Sequence, residues 1–373
     1  MTKLLCILHR SPPMHGAAQV GDFIADSEKL KSNFECKFIT IKSSNTIADI
    51  GNISLKKIYY ITELYFKIFI ALLIFRPDKI YFTASVRGVA FYRDLLLSSL
   101  WKGYQSLKKI DVYYHYHTKG INEFVSSSNI NLKLTDFFLK GVNVILLSDI
   151  LQDDFKQVTT IRNFFYLPNG VENNFGDIEF NDFINSKYDK NKKLNILYLS
   201  NMIKSKGYFK VLELAKNVNN KSMHFNFAGG WQNNSDEDEF YNFINKNHLE
   251  DTVTYHGFVG GEEKQKLLQQ ASFFIFPTRY KNEAFPLSIL EALSYGVPVI
   301  ATDEASIPYI LDNKSGIVIT DTDTDTDTDN LLEAIKLATV GLLNKETSIY
   351  CRERYLKLFS LEQFEINLVE VLK

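Results

Sequence analysis

Two glutamates, Glu283 and Glu291, stand eight positions apart around the apolar run Ala284-Phe285-Pro286-Leu287-Ser288-Ile289-Leu290. On a 3.6-residue period, eight positions is a little over two turns, so both carboxylates would share a face of a continuous helix. Pro286 fits the first helical turn, where its missing N–H costs nothing. The pattern predicts a helix from Leu287 to Tyr295 ended by Gly296, then a short buried strand over Val297–Thr302. Glu283 then falls in the loop just before the helix. A helix N-terminus carries unpaired backbone N–H groups and attracts anions such as phosphate. In that setting Glu283 can accept hydrogen bonds from sugar hydroxyls. Glu291, two turns in, can accept from a second pair of hydroxyls, such as those of a ribose.

Embedded as it is, this stretch resembles the E-x7-E signature of family 4 retaining glycosyltransferases with the GT-B fold. Ahead of it come Tyr255-His256-Gly257-Phe258-Val259, a predicted helix around Glu262–Ala271, and the strand Phe273–Thr278. That order, over roughly a hundred residues, is the family's second-domain pattern. The structural alternative is two surface glutamates on an ordinary α/β helix. The resemblance assigns Glu283 to the transferred sugar and Glu291 to the ribose. It assigns Lys206 and the N–H groups near Phe285–Leu287 to the leaving-group charge, and places Ala284, Phe285, Pro286 and Leu287 among the substrate-binding residues.

Upstream, Leu194–Leu199 followed by Ser200-Asn201-Met202-Ile203-Lys204-Ser205-Lys206-Gly207 resembles the family's strand-to-helix turn, where an Arg and a Lys-Gly pair hold the donor diphosphate. Lys206-Gly207 matches the second part. Asn201 stands at the Arg position; it can hydrogen-bond a phosphate oxygen but cannot neutralise it. Lys204, or an arginine from elsewhere, is then needed for charge. A cation at a helix start is disfavoured unless an anion faces it, which favours a binding role for Lys206 over a plain surface lysine. Gly229, at the end of His224–Ala228, is either a close approach to a base or a tight turn. Phe258 and Val259 lie in the loop that borders the base in the family. In the first half, Gly16 is carried over from a glycine-bearing loop after the first strand. His117, at the end of Ile110–Tyr116, is carried over to the sugar or acceptor. His115 shares its strand face, so a metal pair is conceivable, but no third ligand suggests itself and a structural role for His115 is as good.

Strand-like and helical runs alternate along the chain, so the fold class is α/β. The family fold is GT-B: two doubly wound Rossmann-like domains facing a central cleft, with ligand at the carboxyl ends of both sheets. The expected divisions are residues 1–177, an acceptor domain; 178–193, a polar linker; 194–355, the nucleotide-sugar donor domain; and 356–373, a helix returning to the first domain. The segment Thr320–Asp329 repeats Thr-Asp and so contains D-x-D triplets, the metal–nucleotide signature of a different glycosyltransferase architecture. No strand pattern surrounds it, and alternating Asp stays solvated, so a surface loop is expected.

The 373-residue chain, 45% hydrophobic and 23% charged, has a globular composition. Cys6, Cys36 and Cys351 are odd in number and dispersed, which supports neither a disulfide framework nor a zinc site and fits a reducing cytoplasm. The apolar run at Met1–His9 is too short for a signal peptide. Ile58–Phe75 is the most hydrophobic stretch, but Glu63 and Lys67 near its middle predict a buried domain helix and not a membrane span. Charge is uneven: 21 Lys and Arg against 15 Asp and Glu through Phe175, and 21 against 29 beyond it. The basic first half, with an amphipathic pattern at Leu95–Lys109, suggests peripheral contact with the inner face of the cytoplasmic membrane, or simply a helix packed on its sheet. No nucleic-acid partner is implied.

The resemblance implies a retaining, metal-independent hexosyltransferase with no cofactor. Its partners are a nucleotide-sugar donor and a glycan or lipid-linked glycan acceptor of cell-surface polysaccharide synthesis. Two rivals stay open: a GT-B epimerase or phosphorylase, and a non-catalytic sugar-nucleotide or glycan-binding subunit.

Overall fold

The computed structural model describes residues 1–12, 16–41, 55–188, 193–218, 222–320 and 327–373. Most of the Thr-Asp repeat, and Pro13-Met14-His15 of the first loop, lie outside the described residues. The chain divides into two units, Met1–Gly170 with Leu361–Lys373, and Val171–Ser360.

The first unit is a six-stranded parallel sheet of β1 (Thr2–His9), β2 (Phe34–Ile41), β3 (Lys79–Ala84), β4 (Asp111–Tyr116), β5 (Asn143–Leu146) and β6 (Asn163–Tyr166). Its spatial order is β2-β1-β3-β4-β5-β6. Leu4–Leu8 are all buried because helices cover both sheet faces, and a strand covered on both sides reads as a continuous apolar run. The final helix, Leu361–Leu372, belongs to this unit. Phe364, Leu368, Val369 and Leu372 join a core with Leu4, Leu30, Phe34 and Tyr113. Lys29 pairs with Glu362 at 3.0 Å, and Lys79 Nζ donates to the Lys373 carbonyl at 2.9 Å.

The second unit holds β7 (Leu194–Leu199), β8 (Met223–Ala228), β9 (Val253–Tyr255), β10 (Phe273–Phe276), β11 (Val299–Thr302) and β12 (Gly316–Ile319). All pair in parallel, in the order β12-β11-β10-β7-β8-β9. Renumbered within the unit, this is the doubly wound dinucleotide-fold order. The sequence reverses direction between β7 and β10. Right-handed crossovers therefore send the helices that follow these two neighbours to opposite faces, and a crevice opens at their carboxyl ends.

Two expectations are corrected, and one pair of open readings is narrowed. The segment 178–193 is not an open linker: a helix spans Asp177–Lys187 and belongs to the second unit, which begins at Val171. Phe180 and Ile184 are buried, an i,i+4 pair that the surrounding polar residues masked. Of the two readings of Leu95–Lys109, packing on the sheet holds for the part within the helix Gly88–Gln105, whereas Leu107 lies beyond it and is 85% exposed. Leu97 and Trp101 are fully buried, and the Trp101 indole N–H donates to the Tyr114 hydroxyl at 2.9 Å. The predicted buried helix at Ile58–Phe75 is the reverse case. It spans Leu55–Ile74, buries Leu64, Ile68, Ala71 and Leu72, and leaves its other apolar face exposed.

Lys187 closes the Asp177–Lys187 helix, with its ammonium enclosed, unbonded and 5.4 Å from the Phe183 ring centre. Burial lowers its pKa from 10.5 to about 7, opposed by the nearby Cys351 thiol. The unfolded chain then binds the extra proton between about pH 7 and 10.5, so this group's penalty on stability is full below that window and relieved as pH rises through it. Lys187→Met is expected to raise the melting temperature at pH 6 and to lose most of that gain at pH 10. An equal gain at both values would contradict the shifted pKa.

Candidate functional site

The loops after β7 and β10 meet at the switch point of the second sheet. After β7 the chain makes a single turn of 3-10 helix, Lys204–Lys206, and enters the helix Tyr208–Val218 through Gly207. Gly207 has φ +89°, and a Cβ there would lie 2.3 Å from the Pro277 carbonyl oxygen of the loop after β10. Only glycine allows the two loops this approach. The Arg279 N–H donates to the Ser205 carbonyl at 2.7 Å and ties them again.

That approach brings Lys206 and Glu283 together. The ammonium lies 3.1 Å from Glu283 Oε2, with side chains 16% and 10% exposed. The contact is a charge pair without hydrogen-bond geometry, and Oε2 is buried with no donor. It keeps an accepting site for a hydroxyl brought by a ligand. The same ammonium sits 5.2 Å from the Tyr280 ring centre and 5.8 Å from that of Phe276, which lessens its desolvation cost. Glu283 is fixed by its loop: its N–H donates to the Tyr280 carbonyl at 2.8 Å, and Tyr280 N–H donates to Thr278 Oγ1 at 3.2 Å. Below them, burial and then the Glu283 charge push the Tyr198 phenol far above its ordinary pKa.

The helix after this loop runs Leu287–Ser294, with Pro286 as its N-cap and not inside its first turn. The Pro286 carbonyl accepts from Ile289 N–H at 3.2 Å, so the N–H groups of Leu287 and Ser288 belong to the first turn, which has no intrahelical acceptors. Gly296, φ +64°, follows its end. The Ala284 and Phe285 side chains turn into the core, Phe285 against Tyr309 and Phe359, so only their backbone can face a ligand. Glu291 lies two turns in and pairs with Lys264 at 2.7 Å. Lys264 carried no sequence signal, because its partner is 27 positions away on another helix.

Other predicted residues fall at the same end of the sheet but are engaged differently. Gly229, φ +149°, is required by the chain itself: a Cβ would lie 1.8 Å from the Ser200 carbonyl oxygen. Its N–H donates to the Gly257 carbonyl at 2.7 Å, which joins the ends of β8 and β9. Of the two readings of Gly229, a turn that the chain itself requires is the one with a visible cause. Phe258 is 75% exposed on the following loop, whereas Val259 is buried. Asn201 has an exposed side chain, and its carbonyl accepts from Ile203 N–H at 2.8 Å. Glu239 at 2.5 Å and Asp236 at 3.6 Å hold Lys204 at the surface and raise its pKa, the Glu239 hydrogen bond foremost. Arg279, bonded to the same turn through its backbone, pairs with Asp303 at 2.6 Å. Trp231, also unforeseen, packs on Tyr208, Phe240 and Tyr255 next to the Met202 bridge.

In the first unit, His115 is fully buried and its Nδ1 hydrogen-bonds the Tyr81 hydroxyl. Burial, and then the neighbouring His117, keep its pKa well below the ordinary value, so it is neutral and structural. The half-buried His117 ring lies 4.1 Å from it at a 41° tilt, nearer the strand end. Asp154 fixes the chain beyond by accepting from the N–H groups of Gly120, Ile121 and Asn122 at 2.7, 2.9 and 2.9 Å. Gly16 opens the helix Gly16–Asp26 after β1, which neighbours β3 at this sheet's own order reversal. Among the described residues, no group of three or more His, Cys, Asp or Glu is placed to hold a metal ion.

Known proteins resemble this chain in part of its sequence and in its fold. Residues 179–347 match the family glycosyl transferases, group 1. The matched segment lies within the second unit and contains Lys206, Glu283 and Glu291. Sucrose-phosphate synthase from Thermosynechococcus elongatus shares the two-unit GT-B fold, with a TM-score of 0.73 at 15% identity over 100% of this chain and 98% of that one. HepE from Anabaena, solved in complex with UDP and glucose, gives 0.68 at 14% identity over 100% and 99%. The O-antigen chain mannosyltransferase B of Escherichia coli is 30% identical over 107 residues, 29% of this chain and 26% of that protein. Alignments with the curated relatives span a third or less of those proteins, among them glycosyltransferases of colanic acid and amylovoran biosynthesis.

Glu283 and Lys206 are expected to be energetically coupled before any ligand binds. Removing one leaves the other charge enclosed and uncompensated. Glu283→Gln and Lys206→Met should each destabilise the chain, and the double variant should be more stable than their sum by about 1–3 kcal/mol. Denaturant titration of the four proteins measures this; strict additivity would mean that the pair is not formed in solution.

Proposed function

We propose that the protein is a retaining glycosyltransferase that moves a hexose-type sugar from a nucleoside diphosphate sugar to a hydroxyl of a glycan or lipid-linked glycan, without a metal ion, on the cytoplasmic side of the cell. The observation that carries this reading is the Lys206–Glu283 pair at the mouth of the switch-point crevice, beside the first turn of the Leu287–Ser294 helix. It places one cation, one carboxylate with a spare accepting atom, and a set of backbone donors at one edge of a sheet. A diphosphate leaving group needs the cation and the donors. Its departure develops negative charge, which preorganised N–H groups and an ammonium stabilise without reorganisation. A hexose needs the carboxylate, since Glu283 can accept from ring hydroxyls and hold the anomeric carbon toward the acceptor.

When the diphosphate arrives, Lys206 gains a second anionic partner at little positional cost, because Gly207 and the Arg279–Ser205 bond already fix its turn. Glu291 takes the ribose hydroxyls, with Lys264 holding the carboxylate in place. Lys206 and the helix N-terminus carry the charge that Asn201 cannot. Phe258 offers an exposed ring at the base end. Family resemblance assigns His117 to the sugar or the acceptor and Gly16 to the approach of both. Acceptor attack on the face that the diphosphate leaves gives retention with no protein nucleophile. A binding subunit without catalysis is the second reading, favoured by Asn201; a native chain that binds the nucleotide sugar but transfers nothing to any acceptor would support it.

Binding by the donor's nucleotide stabilises the native state by mass action. One among UDP, GDP and ADP should raise the melting temperature, and Glu291→Gln should weaken its affinity about tenfold, equivalent to roughly 1.4 kcal/mol. Titration calorimetry on the two proteins checks this; unchanged affinity would remove Glu291 from the ribose. Transfer should also persist in EDTA. Turnover abolished by chelation and restored by manganese would show that a metal is required.

A further inference from the structure

The helix Leu55–Ile74 carries large apolar side chains on both sides, with the Glu63–Lys67 ion pair and Thr62 interspersed on the outer one. Its inner face is core, with Ile68 and Ala71 fully buried. Its outer face carries Tyr59, Phe66, Phe69, Ile70, Leu73 and Ile74, each between 44% and 74% exposed. On a 3.6-residue period these six fall on one side of the helix. A surface helix of a globular unit ordinarily turns a mainly polar face outward, and here six large apolar side chains take most of that face. The neighbouring helix Gly88–Gln105, packed against it, adds Val89 and Leu96, each about half exposed. An outward cluster of large apolar side chains of this kind marks an interaction site.

Charge at its edge identifies the occupant. Phe75 follows the helix, and its ring centre lies 5.3 Å from Lys3 Nζ and 5.9 Å from Lys37 Nζ. Arg76 is exposed beside it, and Lys108 donates to the Arg76 carbonyl at 3.0 Å. Against these four cations stand two carboxylates, Glu35 paired with Lys3 and Asp78 paired with Lys108. The rim is net positive. A second copy docked by a two-fold axis would set self-complementary faces together, and a one-signed rim opposes that. An anionic lipid surface satisfies both features, since acyl chains receive the aromatic and branched side chains while headgroups meet the lysines. The helix is about 30 Å long, enough to lie along a bilayer. Among the described residues no helix is long and apolar enough to cross one.

The geometry points to the outer face of the Leu55–Ile74 helix, continued onto the Gly88–Gln105 helix, as a docking surface that seats the first unit in the interface of an anionic phospholipid bilayer. This deepens the proposal of a lipid-linked acceptor, but its test needs no turnover, so failure of docking and failure of transfer are read separately.

The full chain is sedimented with vesicles of phosphatidylcholine alone and of phosphatidylcholine with phosphatidylglycerol. The native chain should bind the anionic vesicles, and less so in high salt. A triple variant, Phe66→Glu, Phe69→Glu and Leu73→Glu, should bind more than about tenfold more weakly, since it removes three apolar side chains from the lipid contact. All three positions are exposed, so its melting temperature should stay near native. Val340→Glu, at a 91% exposed position of the second unit, should bind as the native chain does. In the Phe69→Trp variant, the indole emission added to that of the native chain should shift to the blue on anionic vesicles. A native chain that binds neither vesicle type, a triple variant that binds equally well, or an added indole emission unmoved by lipid would overturn the proposal. So would a native dimer, blind to vesicles, that the triple variant splits into monomers.

Discussion

The site depends on one constraint: two adjacent parallel strands, β7 and β10, must send their chains to opposite faces of the sheet. The backbone there can neither continue the ladder nor pack a helix over the gap. It leaves a crevice, and what lines it is whatever follows each strand. In this chain the followers are Lys206 and Glu283. Gly207 lets the two loops touch, since any side chain at that position would strike the Pro277 carbonyl. An ammonium and a carboxylate so enclosed must either pair or shift their protonation, and pairing is the cheaper outcome. The pair is incomplete in hydrogen bonding, with Glu283 Oε2 undonated, so the crevice keeps capacity for a ligand that a fully bonded salt bridge would have used.

The chain fills its remaining charge requirements locally. Lys204 and Arg279 are both engaged by carboxylates, Glu239 and Asp303. Lys206 is the cation of this turn that faces Glu283 and the aromatic floor of Tyr280 and Phe276. That arrangement explains how an asparagine can stand at position 201: its carbonyl serves the turn, and its side chain is exposed. In the first unit the same physics is used conservatively. His115 is enclosed and neutral, and its ring supports that of His117 where the strand ends. Asp154 gathers three N–H groups to fix the chain beyond.

The apolar helix Leu55–Ile74 and the charged helix Asp177–Lys187 show opposite failures of composition as a guide. The first has too much hydrophobicity for the single face that its sheet can cover, and the excess lies outside. The second reads as a linker because polar residues outnumber Phe180 and Ile184, yet two buried side chains one turn apart suffice to seat a short helix.

What the sequence determined by itself is local. The strand runs at Leu4–Leu8 and Leu194–Leu199 announce a twofold-covered sheet, because burial on both faces leaves no polar alternation. The Glu283–Glu291 unit announces its loop, helix and strand, because Pro286, Gly296 and the apolar spacing act over a few bonds. The family resemblance rests on those same short-range patterns. The tertiary structure decided what is distant in the chain. It paired Lys206 with Glu283 and Lys264 with Glu291, turned Phe285 and the Leu97–Trp101 stripe inward, and committed Lys204 to Glu239. It also gave Gly229 to the Ser200 carbonyl. None of these partners lies within a helical turn of the other, and charge type alone does not say which of several carboxylates a lysine will meet. Strand order does, because the crossover geometry selects which loops become neighbours.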